Sequence, residues 1–338
     1  MSQAFPRPAL ARARSFVVAL AIGATGVVAP HAWGQTSAWK PEKNVEIVVG
    51  LGPGSNQDRI ARAIQRIWQE KAMVPVTMSV ANRVGGGGNV AWSFMAQRSG
   101  DPHFFQIVSS TMLTNHIIGT STFHYADFSP VAMLGTQYIA HATRTEGGLR
   151  SGRDLVDRLK ADPAGASFGI NSGLGNNLHI AIALVAKAGG VDPRKLRIAV
   201  FQGNELMTSA LGGHVEVIAT VASNILPHMQ AGKLRMLGVA APQRLGGAMA
   251  EVPTWKEQGI DAVVPNFAGI LGTRGMTPAQ LAFWDGVFAK TAQTDEWKRE
   301  LAANQWEGQY LNATDAAAYM RADHAKLKGV LTELGMAK

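Results

Sequence analysis

The chain alternates short apolar runs with segments whose apolar residues return every three or four positions. The run NVEIVV ends at Val49, and a helical pattern begins near Ser55. In that pattern Ile60, Ile64, Ile67 and Trp68 share one face, whereas Arg59, Arg62, Arg66 and Gln69 fall elsewhere. VPVTMSV reads as a second strand, GGGGNVAWSFMAQRS as a glycine loop entering a helix, and HFFQIVSS as a third strand. The alternation resumes with ASFGI as a strand, NNLHIAIALVAKA as a helix and Gly189-Gly190 as its stop. LRIAVF, NELMTSALGG, VEVIATV, SNILPHMQAG and LRMLGVAA continue as strand, helix, strand, helix, strand. Helices are predicted over 278–291, 295–303 and 313–334. Repeated strand–helix alternation implies mostly parallel sheets covered by helices, and two such series imply two α/β lobes. The most polar break between the series, TRTEGGLRSGRD, spans 143–154.

Composition changes this picture mainly at the N-terminus. The 338 residues, 46% of them hydrophobic, suffice for one large or two ordinary cores. Arg7, Arg12 and Arg14 precede an apolar run over 16–29, and Ala32-Trp33-Gly34 puts small residues at the −3 and −1 positions of a cleavage site. This three-part order predicts a secretory signal over 1–34, removed to leave Gln35 first and the protein in the periplasm. The apolar run is too short for a comfortable membrane span. The formal charge of +8 includes those three Arg and no acid from the segment, so the remainder carries +5. There is no Lys/Arg run, so no nucleic-acid partner is expected, whereas attraction of small anions is physically sensible. With no cysteine, disulfides and thiolate chemistry are excluded.

Two glycine loops carry the candidate chemistry. In GLGPGSNQD, Ser55 can cap the helix and Asp58 can complete a capping box. Gly52 and Gly54 allow close approach to the backbone, and a helix start favours an anion. A P-loop would need Gly-Lys-Ser/Thr here, and Ser55 stands where a dinucleotide fingerprint needs its last Gly. A tight turn with a capped helix is the simpler alternative. The stretch SFGINSGLGNNLHIAIAL repeats the design, turning through Ser172, Gly173, Leu174 and Gly175 into a helix near Asn176. Two such helix starts, one per lobe, could face each other across a cleft, where open α/β sheets bind ligands. A third loop, ANRVGGGGNVAWS, offers Asn82 and Asn89 as further candidates, against a role in turns. His179 follows the second loop as a packed or capping residue or as an anion contact.

Signals for catalysis are nearly missing. There is no nucleophile elbow and no HExxH, and His214-Val215-Glu216 lacks the cysteine half of a deaminase motif. No carboxylate pair has a spacing suited to acid–base work.

The ordered motifs resemble the substrate-binding proteins of the tripartite tricarboxylate transporters, the Bug family. AWKPEKNVEIVVGLGPGSNQD resembles the family's opening, ANRVGGGGNVA its N-R-x-G-A-G-G-x-x-G region, and DFSPVAMLG its D-F-x-P-V segment. NSGLGNNLHIAIAL is similar to its second helix start, and ALGGHVEVIATVASNILPHMQAGKLRMLGVAAPQR, followed by EVPTWKEQGI, is the longest match. The resemblance implies a type II periplasmic binding protein, two α/β lobes joined by crossing hinge strands. It implies lobe 1 over 35–142 and 265–338, and lobe 2 over 143–264. It also implies a binding protein and not an enzyme, without cofactor or metal: a monomer that holds a small carboxylate ligand between its lobes and delivers it to membrane subunits or reports it to a sensor kinase. Carried over, the ligand-binding set is Gly52, Gly54, Ser55, Asn56 and Asp58, with Asp58 more a brace than a contact. From the second loop come Ser172, Gly173, Gly175, Asn176 and Asn177. Gln202 lies in FQGN where the family has Y-K-G-G, and Thr220 stands where relatives often carry Asp, which argues against an amino-acid ligand. The rival reading is an exported nucleotide-dependent oxidoreductase using the same loops.

Overall fold

A computed structural model of the chain describes residues 39–171, 173–201 and 204–338. The signal segment, Ser172 and Gln202 lie outside the described residues. The first series is β1 (Val45–Val49), α1 (Asn56–Glu70), β2 (Met78–Asn82), α2 (Asn89–Ala96), β3 (Phe104–Val108) and α3 (Ser110–Ile117). A long strand, β4 (Ser129–Arg144), leads to the second series. That series is α4 (Gly152–Ala161), β5 (Ser167–Asn171), α5 (Asn177–Ala188), β6 (Arg197–Phe201), α6 (Glu205–Leu211), β7 (Val217–Val221), α7 (Ala222–Gln230) and β8 (Leu234–Val239). The strand β9 (Pro265–Gly272) returns to α8 (Pro278–Gln293), α9 (Asp295–Ala303) and α10 (Ala313–Glu333). Among the described residues no helix is long and apolar enough to cross a membrane.

The strands form one path, β2-β1-β3-β9-β4-β7-β5-β6, with β8 added on β4. β1 pairs in parallel with β2 and β3, and β5 in parallel with β6 and β7, as strand–helix–strand units require. The antiparallel pairs are those of the crossing strands. β9 pairs with β3, and with β4 from Ser129 to Tyr138. From Ile139 onward β4 changes company and pairs with β7 and β8. One sixteen-residue strand therefore belongs to both halves of the sheet. It is buried along nearly its whole length, so it shows no alternation.

Each half-sheet is covered on both faces. On one face of the first, Ile47, Val49 and Phe105 meet Ile60, Ile64, Ile67 and Trp68 of α1 and Trp284 and Phe288 of α8. Full burial of each such side chain contributes about 1.5–3 kcal/mol. Trp68 stacks on Trp284 at 5.6 Å, and its indole N–H donates to Thr291 Oγ1 at 2.6 Å. The other face packs Val48, Met112 and Ile117 against Met320, Leu327 and Leu331 of α10, with Ile180 of α5 in the same cluster. The second half-sheet packs Ile139, Phe168, Ile170 and Val217 on α5 and Trp255. Helices α8 and α10, though last in sequence, thus cover the first half-sheet. This is the architecture of a two-lobed periplasmic binding protein, with β4 and β9 as the crossing strands.

Candidate functional site

Four helices begin where β1, β3, β5 and β7 end, and all four starts border one cavity of about 260 Å³. Asn56 and Gln57 come from α1, Ser109 and Thr111 from the start of α3, Asn176 and Asn177 from the start of α5, and Thr220 and Val221 from the end of β7. Gln137 of β4 and Asn266 of β9 form its floor between the half-sheets. These two residues are cross-strand partners, so their side chains share a face. Among the described lining residues none is charged. Helix starts supply the positive potential instead, with backbone N–H groups that have no acceptor inside the helix.

The first loop is braced from behind. Ser55 caps α1, its Oγ accepting from Asp58 N–H at 3.3 Å. The buried Asp58 carboxylate accepts from Gly54 N–H, Arg62 Nε and Asn82 Nδ2, each at 2.9 Å. Burial by itself would push Asp58 upward, but the bonds from Arg62, Gly54 and Asn82 hold its pKa below the ordinary value. Gly54 takes a φ of +76°, which a side chain rarely adopts. Gly52, Gly54, Ser55 and Asp58 do not line the cavity, whereas Asn56 does. The Asn56 amide donates to Gln137 Oε1 at 2.9 Å and accepts from Gln137 Nε2 at 3.3 Å, tying α1 to the crossing strand.

The second loop uses a histidine for the same purpose. Gly175 N–H donates to His179 Nδ1 at 3.0 Å, and Asn176 Oδ1 accepts from Leu178 N–H and His179 N–H, both at 3.0 Å. Burial lowers the His179 pKa, so the ring stays neutral with Nδ1 as acceptor and the proton on Nε2. Gly173, Asn176 and Asn177 line the cavity, and Gly175 and His179 do not. Asn82 donates to Leu51 O as well as to Asp58, and Asn89 donates to Gly86 O and Thr120 O, so both hold loops. Thr220 lines the cavity and its Oγ1 accepts from Asn224 Nδ2 at 3.1 Å.

The sequence reading did not single out Ser109, Thr111, Asn115, Gln137, Asn224 or Asn266. For Ser109 a signal was present, the pair of serines that closes the predicted strand HFFQIVSS, and Thr111 lies just beyond it. Gln137 and Asn266 carried none, because their meeting depends on the pairing of β4 with β9. Asn266 Oδ1 is buried without a hydrogen-bond partner among the described residues. The rim is apolar, with Leu51 from the first loop 41% exposed and Leu174 from the second 48% exposed.

Comparison with known proteins gives one consistent answer. The family described as "Tripartite tricarboxylate transporter family receptor" matches residues 60–336. The chain is 26% identical over 269 residues to the protein BugT of Bordetella pertussis, covering 78% of this chain and 79% of that one. A solved R. palustris protein with adipate matches with a TM-score of 0.77 at 22% identity, covering 88% of this chain and 99% of the other. The Rhodopseudomonas palustris protein MatC, with bound malate, matches with a TM-score of 0.70 at 19% identity, covering 86% and 99%.

Proposed function

The chain belongs to the receptor family of the tripartite tricarboxylate transporters, and from that premise we propose that it captures a small carboxylate between its lobes for uptake. The observation that carries the reading is the convergence of four helix starts on a cavity bordered, among the described residues, by no charged side chain. A carboxylate needs a few N–H and hydroxyl donors, and Asn56, Ser109, Thr111, Asn177 and Thr220 bring that chemistry to the wall. The volume of about 260 Å³ lies just below the ~300–1,000 Å³ typical of pockets for drug-sized ligands, which suits a metabolite and not a dinucleotide. Adipate and malate, found in the two R. palustris proteins, are both small dicarboxylates. In a cavity of this kind one carboxylate would face the helix starts of one lobe and the second those of the other.

In this reading residues 143–264 move as one lobe against the rest, with β4 and β9 as hinge strands. Ligand contacts to both lobes favour the closed state, and closure would cover Leu51 and Leu174. The protein would be exported with residues 1–34 removed and act in the periplasm as a monomer, docking on membrane subunits or, in a signalling role, on a sensor kinase. Calorimetric titration with C3–C8 mono- and dicarboxylates, amino acids and NAD tests the reading. One-to-one binding of a carboxylate without metal or nucleotide is expected. Binding of NAD with no response to any carboxylate would overturn it in favour of an exported oxidoreductase.

A further inference from the structure

The far end of α3 carries a cluster that carboxylate capture does not use. His116 sits in the last turn of α3, His124 caps the short turn Tyr125–Asp127, and His324 belongs to α10. One ligating nitrogen from each imidazole lies within 4.8 Å of the other two. The ring centroids are 4.7 Å apart for His116 and His124, 5.0 Å for His124 and His324, and 6.0 Å for His116 and His324. Three chain segments thus bring three imidazoles to one point, and none of the three lines the cavity.

Hydrogen bonding does not account for the meeting. His124 Nδ1 accepts from Ala126 N–H at 3.2 Å, which leaves Nε2 as the nitrogen not used in the cap. His116 Nδ1 and His324 Nε2 are buried with no hydrogen-bond partner among the described residues. Such buried nitrogens are unfavourable when nothing replaces water. Asp127, the neighbouring carboxylate, accepts His124 N–H at 2.7 Å. Burial, together with the neighbouring imidazoles, holds His124 and His324 below the ordinary pKa. Neutral imidazole is the ligating form.

We propose that His116, His124 and His324 form a binding site for a divalent transition metal of the Zn²⁺, Ni²⁺ or Cu²⁺ class. Imidazole donors without sulfur or carboxylate suit these ions and disfavour Mg²⁺ and Ca²⁺. Ligand nitrogens about 2.0–2.1 Å from Zn²⁺ stand roughly 3.3 Å from one another in a tetrahedron. The imidazoles therefore draw inward by no more than about 1.5 Å on binding, within the reach of side-chain rotation. The fourth position is left for water. Such an ion ties α3 to α10, and α3 also carries Thr111 and Asn115 in the cavity wall. Metal occupancy therefore stiffens one wall of the ligand site without touching the ligand.

Tag-free protein stripped with chelator and titrated with Zn²⁺ by calorimetry tests the site. One equivalent should bind, and a His116→Gln/His324→Gln double variant should bind at least roughly 100-fold more weakly. His124→Asn, which keeps an acceptor for the cap, should weaken binding at least roughly tenfold. His214→Gln and His228→Gln, outside the cluster, should leave the affinity unchanged. No saturable one-equivalent binding, or equal affinity in the double variant, overturns the proposal. Visible spectra of Co²⁺ added to the unaltered protein give a readout that needs no variant to fold. Intensified bands of a low-coordinate, nitrogen-ligated ion support the site, and a spectrum identical to aqueous Co²⁺ overturns it.

Discussion

Replacing Gly173 with Asp sets a negative charge in the cavity wall and changes little else. Gly173 borders the cavity, its φ lies outside the left-handed region, and a Cβ built on it meets nothing within 4 Å. Gly54 and Gly175, the other obvious positions, would confuse the result because both have positive φ. A cavity of about 260 Å³ is only about 8 Å across if taken as a sphere, so a carboxylate bound at the second loop lies within ~6 Å of the new charge. Two unit charges at ~6 Å with an effective dielectric of ~20 repel by about 3 kcal/mol. That corresponds to a loss of affinity on the order of 100-fold. Gly173→Asn supplies the same shape without the charge and isolates the electrostatic part. Calorimetry with the C3–C8 carboxylate that the parent binds, on variants whose unliganded melting matches the parent, gives the comparison. Equal affinities of the Asp and Asn variants would show that no ligand anion sits near this loop, and the argument from helix starts would then fail.

Three further outcomes follow from the packing and the buried charges. Gly175→Ala should lower stability by ~1–2 kcal/mol in chemical denaturation, because φ is +83° and the new Cβ would stand 3.0 Å from Ile118 Cγ2. Burial pushes His141 down to about 3, so the folded chain declines a proton that the unfolded chain accepts. Stability should therefore fall as pH drops from about 6.5 toward 3, and His141→Gln, which can still accept from Trp255 Nε1, should flatten that slope in a series of urea titrations. Burial pushes Asp323 up to about 6, the reverse case: the folded chain holds a proton the unfolded one has lost, and stability declines as pH rises from 3.8 to about 6. Asp323→Asn should remove this penalty and raise stability above pH 6 by up to ~3 kcal/mol, while leaving it nearly unchanged below pH 4.

Much of the architecture was legible in the linear pattern. The helical face of Ile60, Ile64, Ile67 and Trp68 is the buried face of α1, and the stops and starts at Ser55, Gly189 and Asn176 fall where the helices begin and end. Local chemistry decides such features, because a cap or a repeat every three to four residues acts within a few positions of itself. The glycine loops were visible for the same reason, since strand, turn and helix start are adjacent in sequence. What each loop residue does was visible only in outline, with Asp58 expected as a brace and His179 offered as a packed or capping residue. Asp58 and His179 turn inward to brace their loops, and which side chain braces and which lines is set by neighbours such as Asn82, distant in sequence.

The crossing strands were decided only in three dimensions. The pattern along Ser129–Arg144 gives neither alternation nor helical period, because both faces of β4 are covered and almost every position is buried. Gln137, Asn266 and Asn56 are separated by 81 or more positions in sequence and meet at the cavity floor through the antiparallel register of β4 with β9. The three histidines are a second instance: His116, His124 and His324 come together because α10 folds back on α3. Sequence determines elements through short-range forces. The cavity and the histidine cluster arise from long-range burial, which selects the packing that covers both faces of each half-sheet and leaves polar side chains facing one another where the covers meet.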